Sequence, residues 1–416
     1  MTRMWLKNTM VRFSEKMWLS GEFFCFLFVD FMIGNATGVH RGIYALLALT
    51  LVPSLVQVGF ALSMFGLSKA ILNVLAGAIC DRIGRKPMML LGSVICGCGG
   101  LLIAISTTYD FLLVGSALMG AGSGMSYVAI MTSMAERVGI KKRGFSMGMF
   151  ELAAYGGFSI GAAFAGLLAA TYGLRMPFYL AFMMPLFAGI ISFPFLKETR
   201  PHLLVTDGPI NWKTSIEEMF KHVRPVIPAY IGGFVSKIAD SLAWSFLPVY
   251  LSQLHMNAQT VTIVVGSFTA SWALSQPFTG YLSDIIGRKM LTVLGLILEA
   301  ICLLLFTDVR DSGMGIALCL AMGLGTGLYY VALPTTVGDA SPLHIRGSML
   351  GGYRFFRDMG YFVGPLLLGA AADAYGLTII FYLTATFLIF AAAIYFIFGS
   401  ETLHDRMYLF PRKQTN

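Results

Sequence analysis

A ten-residue block occurs twice in this 416-residue chain, as Gly77-Ala-Ile-Cys-Asp-Arg-Ile-Gly-Arg-Lys86 and as Gly280-Tyr-Leu-Ser-Asp-Ile-Ile-Gly-Arg-Lys289. The offset of 203 residues holds well outside the block. Glu136 falls on Asp339, Arg143-Gly144 on Arg346-Gly347, Gly157 and Gly161 on Gly360 and Gly364, Tyr172-Gly173 on Tyr375-Gly376, and Glu198-Thr199 on Glu401-Thr402. A register kept without a gap over such a distance marks an internal duplication. Any fold must therefore set two copies of one unit in equivalent surroundings.

The surroundings are apolar. Hydrophobic residues make up 57% of the chain and charged residues 12%, against about 25% charged in a soluble domain, and mean hydropathy is +0.75. Runs of about 20 apolar residues mark helices that span a bilayer. Twelve are expected, near 18–48, 54–79, 87–106, 111–134, 145–171, 176–196, 225–251, 257–283, 290–307, 313–338, 348–372 and 377–399. They are too long, and alternate too little, for strands. The fold class is an all-α membrane protein of two pseudo-symmetric six-helix halves. One half is expected over 1–200 and the other over 225–416, with a polar linker over 201–224 in which Trp212, Ile216, Met219 and Phe220 have the spacing of an interfacial helix.

Basic residues give the expected orientation. The termini and the loops after even-numbered spans carry 22 Lys and Arg, whereas the opposite loops carry only Arg175 and Arg310. Both termini are expected in the cytoplasm, in a plasma membrane of the bacterial inner-membrane type. The net charge of +8 follows from this bias and calls for no nucleic acid. Six cysteines without a CxxC give no disulfide framework or metal set. No cofactor is expected, and a monomer is the default. Absence of HExxH, GxSxG and GxxxxGK[ST] speaks against an intramembrane enzyme and an ATP-driven pump.

Twelve spans, two halves and the repeated block resemble the major facilitator superfamily, whose signature between the second and third spans is G-x-L-x-D-R-x-G-R-K/R. The first copy departs at Ile79 and the second at Ile285. The resemblance implies alternating access and a substrate cavity between the halves. It also implies a gating role for Gly77, Asp81, Arg82, Gly84, Arg85 and Lys86, and for their equivalents Gly280, Asp284, Gly287, Arg288 and Lys289. Asp81 would act against the start of the eleventh span, a positive dipole end, and against Arg346. Arg85 would pair with Glu136, which Asp339 repeats. Gly157-x-x-x-Gly161 in the fifth span is similar to the family's antiporter motif without its proline. In the fourth span, Ser116 stands where the drug/proton antiporters carry an Arg.

Ten ionisable residues lie inside the expected spans: Asp30, Arg41, Lys69, Glu151, Lys237, Asp240, Glu299, Arg354, Arg357 and Asp358. Each costs about 2.5–3.5 kcal/mol to insert, so each needs a partner or a wet cavity. Asp30, Asp240, Glu151 and Asp358 are the proton-coupling candidates. The resemblance places helices 1, 4, 7 and 10 around the cavity, so Asn35, Arg41, Tyr127, Lys237, Trp244, Tyr329 and Tyr330 join Lys69, Trp272, Gln276, Arg354 and Arg357 as cavity candidates. Lys69 and Asp358 stand at similar depth and are expected to approach in one state, unless Asp358 pairs with Arg354 in its own helix. Lys237 and Asp240, three apart, either neutralise each other or serve the cavity. Arg354 and Arg357 share a face, either as a gate, Arg354 being the equivalent of Glu151, or as an anion clamp. Glu299 has no evident partner.

The function expected is secondary active transport of a small charged or zwitterionic organic solute, coupled to protons, with export slightly favoured. Uptake of an organic anion and a non-transporting sensor on the same fold are the alternatives.

Overall fold

The computed structural model describes residues 20–137, 143–198, 217–218, 220–342 and 345–402. The described residues form twelve spans. They are α1 (Gly21–Ala48), α2 (Leu55–Ile83), α3 (Arg85–Ala104), α4 (Tyr109–Arg137), α5 (Arg143–Tyr172) and α6 (Met176–Ser192). After the linker come α7 in two segments (Ile227–Ser245 and Leu247–Gln253), α8 (Ala258–Ile286), α9 (Arg288–Phe306), α10 (Ser312–Ala340), α11 (Arg346–Tyr375) and α12 (Ile379–Phe398). A spanning chain must pair its backbone polar groups internally, which helices do. The break in α7 falls at Phe246, two residues before Pro248, whose ring and missing N–H interrupt the hydrogen-bond ladder. The interfacial helix expected over the linker falls mostly outside the described residues.

Eight of the described helices are long and apolar enough to cross a bilayer on composition alone. α6 falls short by length, while α7, α8 and α11 fall short because they carry polar and charged residues. Those three make most of the contacts of the second half with the first.

The end of the bundle at which the described chain begins and finishes is termed proximal, and the opposite end distal. At the proximal end the duplication is visible as chemistry. Gly84 and Gly287 both turn the chain with φ near 100° (99° and 104°), a region that favours glycine. Glu198 accepts hydrogen bonds from the backbone N–H groups of Arg85 and Lys86 at 2.9 and 3.1 Å. Its equivalent, Glu401, accepts from Arg288 and Lys289 at 3.1 and 3.0 Å. Each glutamate thus caps the free N–H groups of α3 or α9. Replacing either by Ala should lower stability by about 1 kcal/mol. The two losses, in different halves, should add in the double variant. Chemical unfolding in detergent checks both statements.

Candidate substrate cavity and its ion network

The halves close on one another along two stripes of small residues, which in a membrane let backbones approach. In α2, Gly59, Ser63 and Gly66 lie on one face. A β-carbon at Gly59 would fall on the Pro365 carbonyl, one at Gly66 would lie 2.5 Å from Tyr361 C, and Ser63 Oγ donates to Phe362 O at 2.6 Å. The repeat reproduces this between α5 and α8, where Ser159 Oγ donates to Gly266 O at 2.9 Å. Gly157 and Gly161 instead pack α5 on α1, where a β-carbon on either would lie within 3.0 Å of the Asn35 backbone. They serve packing inside one half.

At mid-depth the contact between halves becomes ionic. Asp240 of α7 receives Arg41 of α1 at 3.4 Å and Lys237, one turn back in its own helix, at 3.0 Å. The Tyr361 hydroxyl donates to the same carboxylate, and Arg41 reaches Tyr361 Oη at 3.2 Å. One carboxylate thus serves two cations, all of them buried. Aromatic faces take the remaining positive charge. The Arg41 guanidinium lies over Phe158 at 4.4 Å and Trp244 at 5.1 Å, and Lys237 over Trp272 at 4.6 Å and Tyr361 at 4.9 Å.

Below this triad, Asp358 of α11 is held by Arg357 beside it at 2.7 Å and by Asn73 of α2 at 2.8 Å. Lys69 makes no ion pair with it; Asn73, four residues on, makes the contact across the halves. Nor does Arg354 pair with Asp358. It reaches across to Met131 Sδ at 3.0 Å and lies 5.9 Å from the Tyr127 ring, while the Tyr127 hydroxyl donates to Glu151 at 2.6 Å. The repeat-related charges Glu151 and Arg354 are therefore joined through Tyr127. Tyr155 and Tyr330 close the layer with a 3.0 Å hydrogen bond across the halves.

Asp30, Lys69, Ser123, Tyr127, Glu151 and Tyr155 line a pocket of about 30 Å³, room for a water or two and not for a solute. Within it, Asp30 Oδ2 and Glu151 Oε2 have no hydrogen-bond partner among the described residues.

Other candidates lie elsewhere. Tyr329 turns to Glu299, donating at 2.6 Å, with Thr326 adding a contact at 3.2 Å; these two are the partners the sequence left unassigned. Asn35 donates to Phe31 O in its own helix at 2.8 Å. His40 bonds to Ser116 at 3.0 Å and stacks on Tyr44, a structural position. Trp244 and Trp272 are fully buried beside the two cations, and Gln276 is buried in α8. Arg288 of the second repeated block pairs with Asp339 at 3.0 Å, the contact expected for Arg85 and Glu136 in the first. The side chains of Asp81, Arg82, Glu136, Asp284 and Arg346, and Gly77, lie outside what is described.

Sequence reasoning missed Tyr361, Tyr155, Phe158 and Asn73. Tyr361 had a signal: it stands four residues after Arg357 and three after Asp358, on the same helix face.

Two six-helix halves closing on a buried network of charges and rings form the architecture of a membrane transporter. A family model described as Major Facilitator Superfamily matches residues 24–226 and 229–408, and the chain belongs to that superfamily. The chain is 26% identical over 338 residues to a protein of Salmonella paratyphi C named multidrug resistance protein MdtG, covering 80% of this chain and 83% of that one. It is 25% identical to the protein of the same name from Salmonella choleraesuis, with the same coverage. Among solved structures, a single-residue mutant of the nucleoside transporter NupG superposes with a TM-score of 0.76 at 14% identity, over 91% of this chain and all of that one. An inward-facing, unoccupied bacterial homologue of the human lysosomal transporter Spinster does so with a TM-score of 0.75 at 15% identity, over 92% and 97%.

Proposed function

We propose that the protein exports a small, charged or zwitterionic organic solute with apolar surface, in exchange for protons. In this reading both termini are cytoplasmic in a bacterial inner membrane, and the solute binds between the halves. The observation that carries it is the pocket in which Asp30 and Glu151 each leave a buried oxygen unpartnered beside Lys69. Unpaired carboxylates inside a membrane mark proton or cation pathways. Tyr127, Tyr155, Phe158, Trp244, Trp272, Tyr330 and Tyr361 supply aromatic faces, which suit flat or amphipathic solutes. The likeness to multidrug resistance proteins supports export. The alternative, uptake of an organic anion, draws on the five cations Arg41, Lys69, Lys237, Arg354 and Arg357.

Thermal unfolding against organic anions, amino acids, lipophilic cations and sugars separates the two, because a ligand that binds the folded state stabilises it. Lipophilic cations should stabilise the protein at mildly alkaline pH and lose that effect on acidification. The stabilisation itself should be weak at both pH values in Asp30→Asn and Glu151→Gln. Stabilisation by anions alone would overturn the export reading.

A further inference from the structure

At the distal end, one carboxylate of the second half caps a helix of the first. Ser54 stands at the N-cap of α2, yet its side chain makes no capping bond to its own helix. Asp373, two residues from the end of α11, takes that role. Its Oδ1 accepts from Leu55 N at 2.8 Å, its Oδ2 from Val56 N at 2.9 Å, and the Ser54 hydroxyl donates to Oδ2 at 2.6 Å. The first N–H groups of a helix have no partner within it. Here both their positive dipole end and their hydrogen bonds are satisfied from across the interface. Close approach holds the carboxylate there, since a β-carbon on Gly369 would lie 2.6 Å from Leu55 O.

The duplication supplies an internal control. The equivalents of Ser54 and Asp373 are Asn257 and Ala170. Asn257 caps α8 in its own helix, accepting from Thr260 N at 2.8 Å, and Ala170 offers no acceptor. The two stripes share a serine-to-carbonyl bond at one position pair, Ser63 to Phe362 and its equivalent Ser159 to Gly266 with donor and acceptor exchanged, but differ at their distal tips. One carries a cap lent across the halves and the other does not.

We infer that Asp373 is a positioning residue for transport, a latch that weights the distally closed state by capping α2 only when the halves meet. The inference rests on the rocking of two halves and not on any substrate. When the distal side opens, α2 loses its cap and Asp373 its three donors, whereas α8 keeps its own. The α5–α8 tip packs as closely, at Gly166 against Thr262 and Ala258, but has no cap to lose.

The test uses nitroxides at Thr107 and Arg310, exposed distal positions in opposite halves, in full-length protein with Cys25 and Cys98 replaced by Ala. The inter-spin distance distribution reports distal opening. Asp373→Ala should raise the open-to-closed ratio about 5- to 30-fold, the scale of a lost cap. Asp373→Ala combined with Ser54→Asn gives α2 a cap of its own, as α8 has, and should leave the ratio raised. Ala170→Ser should leave it at the parental value. An unchanged ratio in Asp373→Ala would overturn the latch. A ratio returned to parental by Ser54→Asn would also overturn it, because the effect would then be local fraying of α2.

Discussion

Asp240→Asn should be among the most damaging single substitutions in this protein. It strands Arg41 and Lys237, both fully enclosed, and leaves the Tyr361 hydroxyl a neutral amide oxygen in place of a charged acceptor. Breaking a buried pair by deleting one partner typically costs about 3–5 kcal/mol, because the other charge is left uncompensated. Here two cations lose the same partner. Adding Lys237→Met to Asp240→Asn should recover part of the loss, since it removes one stranded charge and keeps the volume against Trp272. Equal destabilisation of the single and double variants in detergent would show that the triad is not the unit described. Transport should fail in both, because Arg41 to Asp240 is the mid-depth ionic contact between the halves.

Gly59→Val should abolish turnover while leaving each half folded. A β-carbon there falls on the Pro365 carbonyl of the opposing half, and no rotamer moves a β-carbon. Separation of α2 from α11 is the relief available, which shifts the equilibrium toward the distally open state. Overpacking of this kind costs about 1–3 kcal/mol, a population change of roughly 5- to 150-fold. Gly156→Val is the matched control, since nothing stands within 4 Å of its β-carbon. Solvent labelling of a distal cysteine should rise in Gly59→Val and stay at its parental level in Gly156→Val.

The duplication made the halves legible in the sequence, because an offset held at Gly84 and Gly287 has to reappear as two equal turns. Charge placement drew attention to the candidate site, because ionisable residues in a span have few places to go. Pairing was harder to read. Depth along the helices put Lys69 opposite Asp358, but side-chain reach and rotation decide contacts, and Asn73 one turn further took the position. Arg357 captured Asp358 from the neighbouring residue, a geometry that helical spacing does not suggest. Glu299 found Tyr329 and Thr326 because α9 and α10 meet closely, a β-carbon on Gly295 falling 3.1 Å from the Tyr329 ring, a pairing that needs the packing of both helices. Glu198 and Glu401 stood in the repeat register, yet their task became visible only once the chain brought the end of each half back to its second turn.

The most direct test of proton-coupled export is internal pH in sealed proteoliposomes after external addition of a solute that stabilises the protein. Inward solute movement should drive protons outward, so the lumen becomes alkaline in the parental protein and stays unchanged in Asp30→Asn. Acidification of the lumen, or solute entry with no change in pH, would contradict the account.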